Sequence, residues 1–301
     1  MSTLSDIATH TRASSATYVD ANGILQTAAI NEPRVGHHIW NGSAWVDEGY
    51  FHESEARTNL LLNSDTLATQ SVTVAAVPHT LHFTGTGTVT LTGASTAGPL
   101  VGTGTGEQNR VSLTFTPTAG TIIVTVTGTV TNADLEVGST LSSYTPTAGA
   151  TVTRAADAMT IPAANLPWNP LAVSIQMEGR QTGDSSTFLR WYDDANNYIT
   201  VGSGASDYVF TQAASGTVDS VTGGSFTSGV MQPYNVSSTH ASTFVSAAVD
   251  GVALTDNTTP ITLADLSAND VQVGYDFNGT IKLLRAWPEN LTEAGREEAS
   301  A

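Results

Sequence analysis

Paired carboxylates are the first residues in this sequence whose type and spacing suggest catalysis. Glu53 and Glu55 stand two positions apart beside His52, and on a strand this spacing places both carboxylates on one face. Glycosidic cleavage needs two carboxyl groups that face each other across a cleft, about 5 to 9.5 Å apart. Nothing nearby in the sequence indicates a cleft. The pattern therefore favours a solvated edge, and we expect that the protein is not an enzyme and has no catalytic residues.

Metal binding is the second chemistry that the side chains suggest. The turn from Asp193 to Asn197 offers oxygen ligands of the kind that Ca²⁺ prefers, but it lacks the Asp-x-Asp-x-Asp-Gly spacing. His79 and His82 are three positions apart, so on a strand they point to opposite faces and make poor co-ligands. The sequence contains no cysteine, which excludes cysteine–zinc sites and thiolate nucleophiles. We expect no metal and no cofactor, while calcium binding by the Asp193–Asn197 turn stays open.

Aromatic residues beside amides form a third pattern, which is typical of a saccharide-binding surface. Sugars stack on exposed rings, whose bodies are apolar, and nearby polar groups take up the hydroxyls. The candidate ligand-binding residues are Tyr192, Asn196, Asn197, Tyr198 and Tyr208, which lie at or near predicted hairpin ends. Leu189 and Trp191 share one face of their strand by alternation, so we expect Trp191 in the core.

Two hairpins are predicted within residues 1–60, which we interpret as an N-terminal arm. Asn22-Gly23 and Asn41-Gly42 are turn dipeptides between short strands, and both residue types tolerate positive φ. Pairing across the second turn would bring Trp40 close to Trp45. Such a small sheet is too thin to be stable alone, so we expect the arm to pack on another part of the protein.

Alternation of apolar residues with Thr or Ser predicts an all-β fold with two antiparallel β-sandwiches. The first sandwich is predicted for residues 61–146, a linker for 147–157, and the second sandwich for 158–301 with a short C-terminal helix that Thr292 caps. Between Asp65 and Asp134 the sequence has only two charged residues, Glu107 and Arg110. Uncharged strand edges are open to strand addition, which favours a homo-oligomer or a larger assembly.

Net charge excludes two classes of partner. The chain of 301 residues carries a formal net charge of −17, and Lys282 is its single lysine. Nucleic acid and anionic membranes are both recognised through clustered Lys and Arg, so we expect neither as a partner. No stretch approaches the roughly 18 consecutive apolar residues that a membrane-spanning helix needs.

Five stretches of the sequence carry motifs of a known kind, and one of them reads Glu-Ala-Arg-Thr-Asn-Leu-Leu-Leu-Asn-Ser. The stretches are Thr11–Gly23, Ile30–Arg34, Glu55–Ser64, Ser143–Asp157 and Gly279–Thr292. They resemble motifs of phage tail and virion structural proteins with carbohydrate-binding-like and concanavalin A/laminin-G-like jelly rolls. The resemblance implies lectin-like jelly-roll sandwiches in a tail fibre, head fibre or spike located in the virion. It also implies a homotrimer.

The function that this resemblance implies is adhesion to host-surface glycans. The sandwiches would be the outward part of such a protein, and the arm would attach it to other virion proteins. Two alternatives stay open: a purely structural capsid-decoration or tail-scaffold protein without a ligand, and a polysaccharide depolymerase. The sequence leaves undecided whether the protein lies on the head or the tail, which glycan it binds and how many copies assemble.

Overall fold

Antiparallel strands make up almost all of the regular structure in the computed structural model of the chain, which describes residues 4–183, 185–260 and 262–301. The all-β prediction is confirmed. The α-helices in these residues are α1 (Leu4–Ile7) and α2 (Glu293–Ala299). Neither described helix has the length and apolar character that crossing a membrane requires.

The strands follow one another along the chain, and the connections between them range from tight turns to long segments. In order they are β1 (Thr9–Thr11), β2 (Ala16–Val19), β3 (Leu25–Ala28), β4 (Arg34–Val35), β5 (His38–Trp40), β6 (Trp45–Asp47), β7 (Tyr50–Glu53), β8 (Arg57–Asn59), β9 (Gln70–Val74), β10 (His79–Gly85), β11 (Thr88–Gly93), β12 (Leu100–Val101), β13 (Val111–Phe115) and β14 (Gly120–Thr127). They continue as β15 (Val130–Val137), β16 (Val152–Arg154), β17 (Ala158–Ile161), β18 (Ala172–Gln181), β19 (Thr187–Asp194), β20 (Asn197–Ser203), β21 (Tyr208–Ala214), β22 (Thr217–Gly223), β23 (Gln232–Ala241), β24 (Val245–Val249), β25 (Val252–Ala253), β26 (Val271–Asp276) and β27 (Asn278–Trp287). The long segments precede β9, β16 and β26.

The larger of two compact units contains the chain up to Thr11, then Glu48–Glu55 and Asp157–Ala301. Its front sheet has the strand order β1-β17-β26-β19-β20-β21-β22, and its back sheet includes β25-β24-β23-β18-β27-β7. Apolar side chains of both sheets form one core, including Ile175, Phe188, Trp191, Phe210 and Val236. Two facing antiparallel sheets around a shared core are a β-sandwich.

Helix α2 packs on strands of the back sheet in this unit. Thr292 caps the helix as predicted, because its hydroxyl accepts a hydrogen bond from the Gly295 amide at 3.2 Å. The Ser237 hydroxyl of β23 donates to the Arg296 carbonyl of the helix at 2.8 Å. The helix therefore lies on the back sheet, and the front sheet has the outer face on which the candidate site is found.

Strands from the first 60 residues take part in this larger sandwich. β1 pairs with β17, and β7 pairs with β27. All four residues of β7 are buried, from Tyr50 to Glu53, so burial of these side chains anchors the strand. The predicted N-terminal arm is thus divided, because residues up to Thr11 and Glu48–Glu55 belong to the larger unit while Arg12–Asp47 belong to the smaller one.

The smaller unit, Arg12–Asp47 and Ala56–Ala156, contains a second pair of sheets. One has the strand order β13-β10-β15, and the other β12-β11-β14-β9. Their shared core includes Leu81, Phe83, Ile122, Val124 and Leu135. Both predicted hairpins lie in this unit, with β2 paired to β3 and β5 to β6. The Trp40 and Trp45 ring centroids are 5.5 Å apart, as the second Asn-Gly turn predicts.

Strand β10 departs from the predicted alternation because it is buried on both faces. Polar residues of the smaller unit cover the face away from the apolar core. Asp134 on the neighbouring β15 is fully buried, and its Oδ2 accepts a hydrogen bond from the Thr145 amide at 3.0 Å. Burial, and then the charge of Glu136, raise the pKa of the Asp134 carboxyl well above its ordinary value.

Strands β9 and β14 keep the predicted alternation of buried and exposed residues.

Candidate binding site

Alternation along β19 divides its side chains between the core and the outer face of the front sheet. Leu189 and Trp191 point inward and are 2% and 1% exposed. The Trp191 indole donates hydrogen bonds to two backbone carbonyls, both at 2.9 Å, so its predicted place in the core is confirmed. Arg190 and Tyr192 alternate with these residues on the outer face, where both are half-buried.

Arg190 stacks on tyrosine rings of this outer face. Its Cζ atom lies 3.5 Å from the ring centroid of Tyr192 and 4.5 Å from that of Tyr275. Both distances are within the roughly 6 Å range of a cation–π interaction. In the described part of the chain, the Arg190 side chain has neither a hydrogen bond nor an ion pair. The rings therefore hold a guanidinium whose N–H donors are unused.

Tyr275 reaches this face because of a β-bulge at Gly274. Val271 and Val273 on the same strand point into the core, each 1% exposed, and strict alternation would send Tyr275 inward after them. Instead, the pairing shifts so that Phe188 alone on β19 stands opposite Gly274 and Tyr275 on β26. Gly274 has a φ of +67°, which favours glycine. The extra residue turns Tyr275 outward, where it is 53% exposed.

Tyr198 extends the aromatic surface onto the next strand. It stands directly opposite Tyr192 in the β19–β20 ladder, and the two ring centroids are 6.3 Å apart with an interplanar angle of 31°. Gln272 and Thr200 stand opposite Arg190 on the two neighbouring strands. We call Arg190, Tyr192, Tyr198 and Tyr275 the Arg190 cluster. It combines one cation with three partly exposed rings.

The predicted site residues Asn196 and Asn197 lie in the β19–β20 turn. Asp194 Oδ1 accepts hydrogen bonds from the Asn196 amide at 2.8 Å and from Asn197 Nδ2 at 3.1 Å. Asn197 Oδ1 accepts one from the Ser215 amide at 3.1 Å. Both ends of the Asn197 side chain therefore shape the turn, while Asn196 is exposed. Among the described residues, no three His, Cys, Asp or Glu side chains are grouped so that they could hold a metal ion.

Tyr208, the fifth predicted site residue, lies in the core instead. It is 1% exposed and packs against Phe188 and Phe226, with ring centroids 6.2 and 5.5 Å away. Burial first, and the charge of Asp250 second, raise the pKa of the Tyr208 hydroxyl to about 12. Phe210 shares this inward face and is fully buried, so alternation within β21 places Tyr208 inside. A ligand on the sheet surface cannot contact this ring.

Glu53 and Glu55, the carboxylate pair weighed for catalysis, have different environments. Glu53 is 2% exposed in β7, and its backbone amide donates to Asp157 Oδ2 at 2.9 Å. Glu55 is exposed beyond the end of the strand. His52 is fully buried, with Nε2 2.8 Å from the Gly274 carbonyl oxygen. The pair does not present two carboxyl groups to one open surface.

Two other cations of the larger unit are paired with carboxylates. Lys282 Nζ lies 2.6 Å from Glu178 Oε1, and Arg180 Nε lies 2.9 Å from Glu48 Oε1. Arg190 therefore differs from these residues in having aromatic rather than acidic neighbours.

Sequence reasoning found two members of the Arg190 cluster, Tyr192 and Tyr198, and missed the other two. Arg190 could have been found, because it precedes Tyr192 by two positions and so shares its face. Tyr275 could not be placed by alternation, since the bulge at Gly274 reverses its direction. An isolated glycine within a predicted strand is a signal for such a bulge, but it does not say which side chain turns outward.

Comparisons with known proteins found no matching protein-family model and no matching curated sequence. Solved structures with partial similarity come from botulinum neurotoxins. One is a structure of botulinum neurotoxin type C from work on its cell entry, which depends on interaction with two ganglioside molecules. It is 11% identical to this chain, the match covers 46% of this chain and 38% of that chain, and the TM-score is 0.34. The binding domain of neurotoxin DC in complex with SialylT has 13% identity, coverages of 46% and 38%, and a TM-score of 0.36.

A third solved structure is the binding domain of botulinum neurotoxin serotype D/C VPI 5993. Its identity is 10%, the coverages are 48% of this chain and 40% of that chain, and the TM-score is 0.37. This chain thus spans only 38% to 40% of the length of the three neurotoxin structures. The similarity covers less than half of either chain.

Proposed function

We propose that this protein is a non-catalytic, carbohydrate-binding component of a phage virion, and that the Arg190 cluster is its saccharide-binding surface. The observation that carries the proposal is the exposure of three tyrosine rings and one arginine without an acidic partner on the outer face of the front sheet. Tyrosine rings in water expose apolar surface, which costs free energy unless a ligand or partner covers it. Pyranose rings fit such a surface because their C–H faces are apolar and their hydroxyls are polar.

The flat form of the site is suited to weak binding of single saccharides. Three rings on one sheet face can stack with one or two sugar units, and Thr200 and Gln272 stand beside Arg190 as polar neighbours. Several copies of a weak site on one particle can raise the overall affinity by about 10²- to 10⁴-fold. A protein present in several copies on a virion would therefore bind host polysaccharide tightly without a deep pocket.

A virion location is proposed from motifs in the smaller unit and its boundary. Thr11–Gly23 and Ser143–Asp157 resemble phage tail and virion structural proteins. We propose that the hairpins of Arg12–Asp47 attach the protein to other virion proteins and that it assembles as a homotrimer. Immunogold labelling of intact particles tests the location, and sedimentation equilibrium of the purified protein tests the trimer. Unlabelled particles or a monomer at all concentrations would contradict these parts of the proposal.

Saccharide binding is tested on a glycan array with wild-type protein and the variants Tyr192→Ala and Tyr275→Ala. Loss of one stacking ring should weaken binding by about three- to tenfold, because an aromatic contact contributes about 0.5–1.5 kcal/mol. Tyr18→Ala is a matched control, since Tyr18 is half-buried on β2 in the smaller unit. Silence of wild-type protein at high density would reject saccharide binding. Unchanged binding by both variants would reject the Arg190 cluster as its location.

A scaffold without a ligand is the second candidate, and the edges of the smaller sandwich favour it. β9 and β12 are edge strands of one of its sheets, and only Glu107 and Arg110 are charged between Asp65 and Asp134. Natural edge strands usually carry charge that blocks pairing with other chains, so uncharged edges fit permanent contacts in an assembly. Oligomerisation together with a silent glycan array would favour this function over adhesion.

A further inference from the structure

We infer that the Arg190 cluster recognises a saccharide that carries a carboxylate, such as a uronic acid or a nonulosonic acid. This inference rests on the proposed saccharide-binding function and adds the chemical class of the sugar. Its basis is the contrast between Arg190, which has aromatic neighbours, and the acidic partners of Arg180 and Lys282 in the same unit.

The environment of Arg190 leaves its positive charge without a counter-charge. The side chain is half-buried, so it has lost part of its water, and the described chain supplies it with neither a hydrogen bond nor an ion pair. Tyr192 and Tyr275 compensate in part, because the faces of their rings are electron-rich. A ligand carboxylate would complete the coordination of this guanidinium and would be favoured over a neutral hydroxyl.

The geometry of a stacked arginine suits a carboxylate in particular. The Tyr192 ring centroid lies 3.5 Å from Arg190 Cζ, a distance that fits a ring stacked on the face of the guanidinium, whose N–H donors lie in the plane of the group. Two parallel N–H donors match the two oxygens of a carboxylate, which gives a bidentate pair with a defined orientation. Stacking also restricts the side-chain rotamers before the ligand arrives, so less conformational entropy is lost on binding.

The number of positive charges at the site favours an acidic saccharide over nucleic acid. Arg190 is the one cation of the cluster, and the whole chain has a net charge of −17. Nucleic acid carries one charge per roughly 1.7 Å of helix axis and needs several Lys or Arg contacts. A saccharide with one carboxylate per repeating unit requires only one arginine, and the adjacent tyrosine rings can stack with the sugar body.

The decisive experiment compares acidic saccharides with their carboxyl-reduced forms. Oligosaccharides of polygalacturonate, alginate, hyaluronan and a nonulosonic acid polymer are each tested beside the neutral product of carbodiimide-mediated reduction, by calorimetric titration of the protein. Wild-type protein should bind at least one acidic probe about tenfold more tightly than its reduced form, as expected for a charge-assisted hydrogen-bonded pair. Arg190→Gln should bind the two forms equally, and Arg190→Lys should keep only part of the preference.

Arg285→Gln is the matched control, because Arg285 is an exposed arginine on β27 of the back sheet, and this variant should keep the full preference. Equal binding of acidic and reduced forms by wild-type protein would overturn the inference while leaving saccharide binding intact. A preference that persists in Arg190→Gln would overturn the assignment to Arg190. Binding of no saccharide at all would overturn both the inference and the proposed function. If Arg190→Gln fails to fold, as judged by circular dichroism, the wild-type comparison and Arg190→Lys still decide.

Discussion

Alanine at Gly274 is the substitution that best tests how the β-bulge supports the Arg190 cluster. Gly274 has a φ of +67°. A Cβ atom there would lie 2.5 Å from His52 Cδ2 and 2.6 Å from His52 Nε2. His52 is fully buried and its Nε2 is bonded to the Gly274 carbonyl at 2.8 Å, so the imidazole has little room to move.

Two costs add up in Gly274→Ala. Left-handed backbone in a residue other than glycine costs about 1–2 kcal/mol, and overpacking of a buried site costs about 1–3 kcal/mol. The free energy of unfolding of the larger sandwich should therefore fall by about 2–5 kcal/mol. For a domain of about 150–250 residues, this corresponds to a decrease in Tm of about 4–20 °C.

Gly229→Ala separates these two costs. Gly229 has a φ of +78°, and no heavy atom lies within 4 Å of a Cβ built there, so this control carries only the backbone cost of about 1–2 kcal/mol. Calorimetric unfolding of the full-length variants measures both effects. Equal decreases in Tm for the two variants would refute the argument that His52 restricts this position. Wild-type saccharide affinity in folded Gly274→Ala would refute the role of the bulge in aiming Tyr275.

The remaining predictions concern pH and buried groups in each unit. Burial lowers the pKa of His240 to about 3. Because the unfolded state then binds the proton more readily than the folded state, the free energy of unfolding should fall as the pH drops from about 6.5 towards 3. The slope should be up to about 1.4 kcal/mol per pH unit. Calorimetric unfolding from pH 7 to 4 measures this slope, which should be shallower in His240→Asn than in the wild type. An identical slope in the two proteins would contradict the prediction. The raised pKa of Asp134 has the opposite consequence. In the unfolded protein this carboxyl loses its proton at a lower pH than in the folded protein, so the free energy of unfolding falls as the pH rises above about 4 towards the folded pKa. The amide oxygen in Asp134→Asn can still accept the hydrogen bond from the Thr145 amide. This variant should therefore raise the Tm at pH 8 more than at pH 5. A variant less stable than the wild type at pH 8 would contradict this explanation.

Strand positions could be predicted wherever one face is buried and the other faces water. Strands β9 and β14 alternate in this way, and their Thr/Val pattern marks them. Alternation does not reveal strand β23, because its second half is buried on both faces although many of its residues are polar. Ser237 is fully buried, since helix α2 lies on that face and accepts its hydrogen bond through the Arg296 carbonyl. Tertiary contacts of this kind are not encoded in the local pattern.

The candidate site could be predicted only to the extent that local alternation determines it. Tyr192 and Tyr198 follow the strand period and lie on the outer face of the front sheet. The prediction for Tyr208 is wrong because closeness to a turn does not determine its direction, whereas alternation places it on the same inward face as Phe210. Tyr275 required knowledge of the register between β19 and β26, which depends on residues about 85 positions apart.

The pairing of β1 with β17 and of β7 with β27 has a consequence for biosynthesis. The ribosome completes the segments of the smaller unit by Ala156, so that unit can fold while β1 still lacks β17 and β7 still lacks β27. These two early strands must wait until Ala158–Thr160 and Asn278–Ile281 have emerged, and pairings between such distant segments slow folding. A nascent chain that stops before Asn278 leaves β7 with an open edge at which other nascent chains can aggregate.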